Sequence, residues 1–259
     1  MFRSIRSLTE RKQTLNSNGA LFMKLYDSII AETMEKVSAK TYKKYSYDRN
    51  SAWKLLDNTE FIMQRDAALE LGGMREPSVN YTCVTTDSDI SEDEILVVGK
   101  DITEINGSIS FARVIILETS DLGEETDSEK AFGTIRNLDF VRYHVYPEGY
   151  MVRVSASSNL EQVRVSKDAL KRGISFSRVG SSYISKYKEL PEVKKVRVIF
   201  ITDKELVESL VPNADKVDKI TRTLTKILDG MPTDCGHCSM KAVCDEVDGL
   251  KELHLKKKN

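Results

Sequence analysis

Three cysteines carry the most specific chemistry in this 259-residue sequence. Cys235, Cys238 and Cys244 stand in the run Cys235-Gly236-His237-Cys238-Ser239-Met240-Lys241-Ala242-Val243-Cys244, a C-x2-C-x5-C pattern. A two-residue spacer eased by Gly236 lets the first two thiolates turn inward onto one metal atom or two corners of a cluster, and the third follows after a short loop. Soft thiolates in a reducing compartment favour metal over disulfide. The spacing predicts a [4Fe-4S] cluster first, a zinc site as the alternative, and unmetallated thiols third. Three cysteines leave a closed site one ligand short. His237, His254, Cys83, Asp245 or a group from a partner or substrate are the candidates for the fourth. With the cysteines alone, one iron of a cubane stays open to bind substrate or bridge to another metal.

The second chemical signal is charge segregation. Lys and Arg total 39 against 40 Asp and Glu, so the net charge is only −1. Residues 76–129 nevertheless hold 14 acidic and two basic residues, and residues 150–200 hold 11 basic and four acidic. Two outcomes are open if these segments pack together: mutual neutralisation on a solvated surface, or a cationic pocket for a small anionic ligand. The neutral total gives no global attraction to nucleic acid. The mixed Tyr42-Lys43-Lys44-Tyr45-Ser46-Tyr47 patch is too isolated to change that, and reads as a helix-end linker. No window approaches the roughly 18 apolar residues of a membrane span. The basic N-terminus is not followed by the apolar run of a signal peptide, and a cytoplasmic location is expected.

The elements that must position these groups fall into three stretches. Residues 1–57 read as helical, with Leu21, Phe22, Leu25, Ile29, Ile30, Met34 and Val37 at helical spacing. From Ser78 the period changes to that of strands. Val79, Tyr81 and Cys83 alternate with polar neighbours, and Ile95–Val98 and Val114–Leu117 are short apolar runs. Further strands are expected at Phe140–Val145, with His144 as a sheet residue, at Met151–Val154 and at Gln162–Val165. Pro147-Glu148-Gly149 marks a turn between the first two, and Gly72-Gly73 marks another. Ser166 caps a short helix ending at Gly173, and Val179–Leu190 forms a second helix before Pro191. Val196–Ile201 is a strand, Thr202 and Glu205 form a capping box, and Ala214–Asp229 is an amphipathic helix stopped by Gly230 and Pro232. The class is α+β.

Leu69-Glu70-Leu71-Gly72-Gly73, the stretch Ser91–Ile102, Val163-Arg164-Val165-Ser166-Lys167-Asp168-Ala169-Leu170-Lys171-Arg172-Gly173, Tyr183-Ile184-Ser185-Lys186-Tyr187-Lys188 and Val196–Asp203 together resemble the beta subunit of the CO dehydrogenase/acetyl-CoA synthase complex. The resemblance covers about Phe61–Val211 and corresponds to that family's middle domain. It implies an α+β mixed sheet with helices over 61–212, preceded by a helical region at 1–60 and followed by a helix and metal-binding knuckle at 213–259. It also implies a coenzyme A site. The pyrophosphate and 3′-phosphate of that ligand need several cations or a helix N-terminus, which the basic segment offers through Arg153, Arg164, Lys167, Arg172 and the N–H groups behind Ser166. The tryptophan and arginine that the family places before this motif have no counterpart. Tyr150 stands there as a substitute stacking residue beside Met151 and the polar Ser155-Ala156-Ser157-Ser158.

The Cys-Gly-Cys motif that helps hold the family's nickel pair is absent from the sequence. The expected role is therefore accessory: an acetyl-CoA synthase-like protein of anaerobic one-carbon metabolism, with CO dehydrogenase/acetyl-CoA synthase or corrinoid-protein partners, rather than a complete synthase. A non-enzymatic assembly module with a structural knuckle is the alternative. No nucleophile elbow, phosphate-binding glycine loop or His-Glu-x-x-His motif specifies a hydrolase, kinase or metalloprotease, and no catalytic residue is identified.

Overall fold

The computed structural model describes residues 25–73, 75–86, 90–120, 128–154 and 160–228. Their elements run α1 (Asp27–Ser38), β1 (Tyr42–Ser46), β2 (Ala67–Leu71), β3 (Ser78–Thr85), β4 (Glu94–Val98), β5 (Gly107–Ile109), β6 (Phe111–Thr119), α2 (Ser128–Val141), β7 (Tyr150–Val154), β8 (Glu161–Ser166), α3 (Lys167–Lys171), α4 (Phe176–Tyr187), β9 (Val193–Ile201), α5 (Lys204–Ser209) and α6 (Val211–Leu228). A five-stranded sheet in the order β1-β4-β9-β6-β3 mixes parallel and antiparallel pairs, and a four-stranded sheet runs β5-β2-β8-β7. The arrangement is α+β.

The apolar runs become the strands of the larger sheet because both faces there are covered. Every residue of β4 is buried, as are all but one of β6, and continuous apolar sequence suits a doubly covered strand; β3 is buried throughout as well, its polar Asn80 and Thr82 included. On one face Phe111, Phe176 and Phe200 stack, the last two rings 4.6 Å apart, joining β6 and β9 to α4. Gly180 lets α4 lie close: a Cβ there would fall 2.6 Å from Ile95 Cγ1. On the other face Tyr81 of β3 meets Thr33 of α1, oxygen to oxygen at 2.8 Å.

Several expectations are corrected. Tyr42–Ser46 is neither helix nor linker; it is an edge strand paired antiparallel with β4, its lysines bound to Glu104 and to Glu92 and Glu94, as charged edge strands commonly are. Phe140–Val145 is not a strand. Phe140 and Val141 close α2, whose buried Phe132, Ile135 and Leu138 recur at helical spacing, and His144 follows in the turn, exposed, its ring 4.2 Å from that of Phe140. α4 begins three residues earlier than expected, at Phe176, capped by Ser175, and ends at Tyr187. The cap of α5 is Asp203, whose carboxylate accepts the Leu206 N–H at 2.8 Å; Thr202 Oγ1 instead accepts the N–H of Lys100 at 2.7 Å. Ser166 does cap α3, and Gly173 ends it at φ +78°.

Acidic and basic stretches do neutralise each other where the sheet brings them together. Arg197 pairs with Glu94, Lys188 with Asp93 at 3.2 Å, and Lys195 with Glu118 at 3.6 Å.

The carboxylates divide into two groups with opposite pH signatures. Lys36 holds Glu32 below the ordinary value of 4.5, the Asp101 N–H and Lys43 do so for Glu104, and Arg172 and Lys54 for Glu148. Their stabilisation is complete above the unfolded value and is lost as pH falls through the lowered folded values. Burial pushes Glu161 and Asp139 up, so these two weaken the fold as pH rises from the unfolded toward the folded value. Through Glu32, Glu104 and Glu148, urea midpoints are expected to drop as pH falls below about 4.5. A midpoint unchanged between about pH 5 and pH 3 contradicts the assignment of the depressed group.

Candidate binding face on the four-stranded sheet

Register and alternation gather the basic residues. Strand side chains alternate faces, and directly paired residues share one. Arg153 pairs with Gln162, Met151 with Arg164, and Arg164 with Glu70. Met151, Arg153, Gln162, Arg164, Ser166 and Glu70 therefore lie on the outer face of this sheet, where Ile62 covers Met151, its N–H 3.2 Å from Met151 Sδ, and leaves it 2% exposed. Tyr150, Glu161, Val163, Val165, Leu69 and Leu71 lie on the inner face and are buried. Gln162 and Ser166 are four residues apart, about 13 Å along the strand at ~3.3 Å per residue.

Two cavities stand at the ends of this row. One, of about 270 Å³, is lined by Gly73, Ser78, Arg153, Val154, Leu160, Glu161 and Gln162. The other, of about 310 Å³, is lined by Glu60, Asp66, Glu148, Gly149, Ser166, Lys167, Asp168 and Arg172. Gly149 at φ +71° brings the chain against α3; a Cβ there would sit 2.5 Å from that of Ala169.

Of the residues expected to bind an anion, most already have partners. Arg164 Nε donates to Glu70 Oε1 at 2.7 Å, and its Nη1 to the Ile62 carbonyl at 3.2 Å. Lys167 donates to the Arg65 carbonyl at 2.8 Å. Arg172 pairs with Glu148 and Asp168, each at 2.8 Å, and lies 5.2 Å from the centroid of Trp53, whose other neighbour is Arg178. Ser166 Oγ accepts the Ala169 N–H at 3.1 Å, and α3 has only five residues. The second cavity thus holds four carboxylates against two cations. Arg153, in contrast, is exposed and makes no hydrogen bond or ion pair among the described residues. Tyr150 is 2% exposed, its ring is part of the core, and burial pushes its hydroxyl well above the ordinary range. Stacking on a surface ligand is closed to it.

Beneath the first cavity lies a pair that the sequence reading did not single out. Arg113 of β6 is 1% exposed and donates from Nη2 to Glu161 Oε2 at 2.6 Å, joining the two sheets. Its guanidinium carbon lies 4.4 Å from the Tyr183 ring centroid. Arg113 Nε and Nη1 and Glu161 Oε1 have no partner among the described residues. A single cation inside Phe111-Ala112-Arg113-Val114-Ile115-Ile116-Leu117, and the phase of Glu161-Gln162-Val163-Arg164-Val165, were the signals available in sequence.

Cys235, His237, Cys238, Cys244 and His254 lie outside the described residues. Among the described residues, no group of three or more His, Cys, Asp or Glu side chains is arranged to hold a metal ion. Cys83, offered as a fourth ligand, is buried in β3 at 1% exposure, and burial, followed by Asp139, pushes its thiol up. A free thiolate is disfavoured there. No described helix is long and apolar enough to cross a membrane.

Comparison with known proteins places this face in context. The sequence profile of the CO dehydrogenase/acetyl-CoA synthase complex beta subunit matches residues 55–207, which include both cavities and the whole four-stranded sheet. The chain is 30% identical over 159 residues to the acetyl-CoA decarbonylase/synthase complex subunit beta of Archaeoglobus fulgidus, covering 59% of this chain and 28% of the relative. It is 28% identical over 185 residues to the carbon monoxide dehydrogenase/acetyl-CoA synthase subunit alpha of Moorella thermoacetica, covering 71% and 24%. Against subunit beta 1 of the Methanosarcina mazei acetyl-CoA decarbonylase/synthase complex, identity is 26% over 175 residues, covering 65% and 35%. The chain spans about a quarter to a third of the length of these relatives.

Proposed function

The chain belongs to the CO dehydrogenase/acetyl-CoA synthase complex beta subunit family, and from that premise we propose that it is an accessory member binding coenzyme A or a related anionic ligand along the outer face of the four-stranded sheet. The observation that carries this reading is the strand register, which sets Arg153, Arg164 and Ser166 on one face, continuous with Lys167 and Arg172. A cavity at each end of this row offers a seat for a charged terminus, while Ile62 covers its middle at Met151. Arg164, fixed by Glu70 and the Ile62 carbonyl, orients the middle of the row, and Arg153, without a partner among the described residues, is a cation for a new one. The role includes association with other subunits of a CO dehydrogenase/acetyl-CoA synthase complex or with a corrinoid protein, in a cytoplasmic, anaerobic one-carbon pathway.

Calorimetric titration of the full chain with coenzyme A tests the binding claim. Weak binding is expected at low ionic strength, falling by about tenfold as salt shortens the screening length from about 10 Å to 3 Å. Absence of heat at low salt removes the reading.

Cys235, Cys238, Cys244 and His237 are proposed to hold an iron–sulfur cluster, which would supply electron transfer or an open iron when bound. Analysis of anaerobically purified protein should find about four iron and four sulfide per chain, with a visible band that bleaches on reduction. About one zinc and no sulfide would instead make the knuckle a structural clip. That outcome favours the second reading, a non-enzymatic interaction module. The structural observation on its side is the pair Phe61 and Met63, 77% and 44% exposed on either side of buried Ile62.

A further inference from the structure

The two cavities at the ends of the binding row differ in charge, and that difference orients a ligand. The cavity beside Ser166 presents Glu60, Asp66, Glu148 and Asp168 against Lys167 and Arg172, with Arg172 already shared by two of the carboxylates. A phosphate entering it meets a surplus of negative charge. The cavity beside Gly73 contains one carboxylate residue, Glu161, whose acid group is turned inward onto Arg113.

Three hydrogen-bond donors line that cavity from three places in the chain. Arg153 of β7 has its guanidinium free of protein partners among the described residues. Gln162 of β8 brings a side-chain amide. Ser78, at the start of β3, accepts the Glu161 N–H at 3.1 Å, which leaves its own O–H to donate. Gly73, at φ +136°, keeps the amide open: a Cβ there would stand 3.4 Å from Gln162 Nε2. Val154 and Leu160 form apolar walls. A carboxylate has two oxygens, which one guanidinium satisfies. A phosphomonoester has three terminal oxygens, matching three separate donor groups, and its charge favours the planar, bidentate cation.

We propose that Arg153 is the specificity-determining residue of this face and that the Gly73 cavity seats a terminal phosphomonoester, with Gln162 and Ser78 as its further donors. The assignment rests on the reading of the outer face as an anionic-ligand site. It reverses the orientation expected from sequence, in which Ser166 and the start of α3 were the anion seat.

The test compares coenzyme A with dephospho-coenzyme A, which lacks the terminal 3′-phosphomonoester, on the full chain and on Arg153→Met. Arg153 is exposed, so the variant should melt with the parent protein. The parent is expected to bind coenzyme A at least ~fivefold more tightly than the dephospho form, the scale of one partly screened charge-assisted bond. Arg153→Met should bind the two alike, and inorganic phosphate should compete with coenzyme A on the parent only. Equal binding of both ligands by the parent, or an undiminished preference in Arg153→Met, overturns the Arg153 assignment while leaving coenzyme A binding standing. No binding of either ligand by the parent overturns the underlying reading as well. Arg172→Met serves as the contrast and should retain the preference; its loss there would place the phosphate at the Ser166 end.

Discussion

Arg113→Met is expected to destabilise the fold by about 3–5 kcal/mol, the usual cost of breaking a buried ion pair from one side. Arg113 and Glu161 are both wholly buried at the side chain and meet at 2.6 Å. They bridge β6 of the larger sheet and β8 of the smaller one. Removing the guanidinium leaves a carboxylate on the buried inner face of β8, with no other hydrogen bond to either of its oxygens among the described residues. It would have to take up a proton or be solvated by opening the sheets. Replacing both partners, Arg113→Met with Glu161→Leu, removes charge and orphaned acceptor together and should return to within about 1–2 kcal/mol of the parent. Urea denaturation at constant pH, with m-values compared, checks both variants. A single variant within about 1 kcal/mol of the parent would mean that the pair contributes little to holding the sheets together.

Gly72→Ala is the second large effect, at about 2–4 kcal/mol, the sum of a left-handed backbone penalty and overpacking. Gly72 has φ +67°, and an added Cβ would lie 2.4 Å from the Glu161 carbonyl oxygen and 2.6 Å from Ser78 Cβ. The first obstacle is backbone, which cannot rotate away. The Gly72 N–H also donates to the Ile109 carbonyl at 2.8 Å, so the turn ties together three strands of the smaller sheet and the start of β3. Because Ser78 and Glu161 line the Gly73 cavity, any folded fraction of the variant should also lose affinity for an anionic ligand. Thermal melting gives the stability change, and an unchanged melting temperature would show that the turn relaxes without strain.

How much could be read from sequence followed how local each signal was. Ile95–Val98 and Val114–Leu117 announced themselves because strands covered on both faces need unbroken apolar runs. Ser166 and Gly173 marked a helix of one turn and a half because caps and stops act within a few residues. The edge strand Tyr42–Ser46 was hidden, since an exposed edge carries no apolar face and its lysines and tyrosines resemble a solvated linker. Phe140–Val145 misled because the end of a helix and the turn after it happen to alternate; the helical stripe lay upstream, at Phe132, Ile135 and Leu138.

The binding face shows the same division. Its basic residues were visible in the sequence, but their availability was not. Glu70, 94 residues before Arg164, and Glu148, 24 before Arg172, neutralise two of them through long-range packing. That Arg153 has no partner among the described residues is decided by which strand lies beside which. The Arg113–Glu161 pair spans 48 residues, and only the assembled sheets bring the two groups together. The Cys235–Cys244 run lies beyond the matched residues 55–207, and its chemistry is read from its spacing.

The most direct test of the account is backbone amide NMR on the isotopically labelled chain during titration with coenzyme A at low salt. The account predicts saturable shifts concentrated at Gly73, Arg153 and Gln162 and continuing along Arg164 to Lys167, with little change on α6. No shifts at millimolar ligand, or shifts confined to surfaces away from the four-stranded sheet, would contradict it.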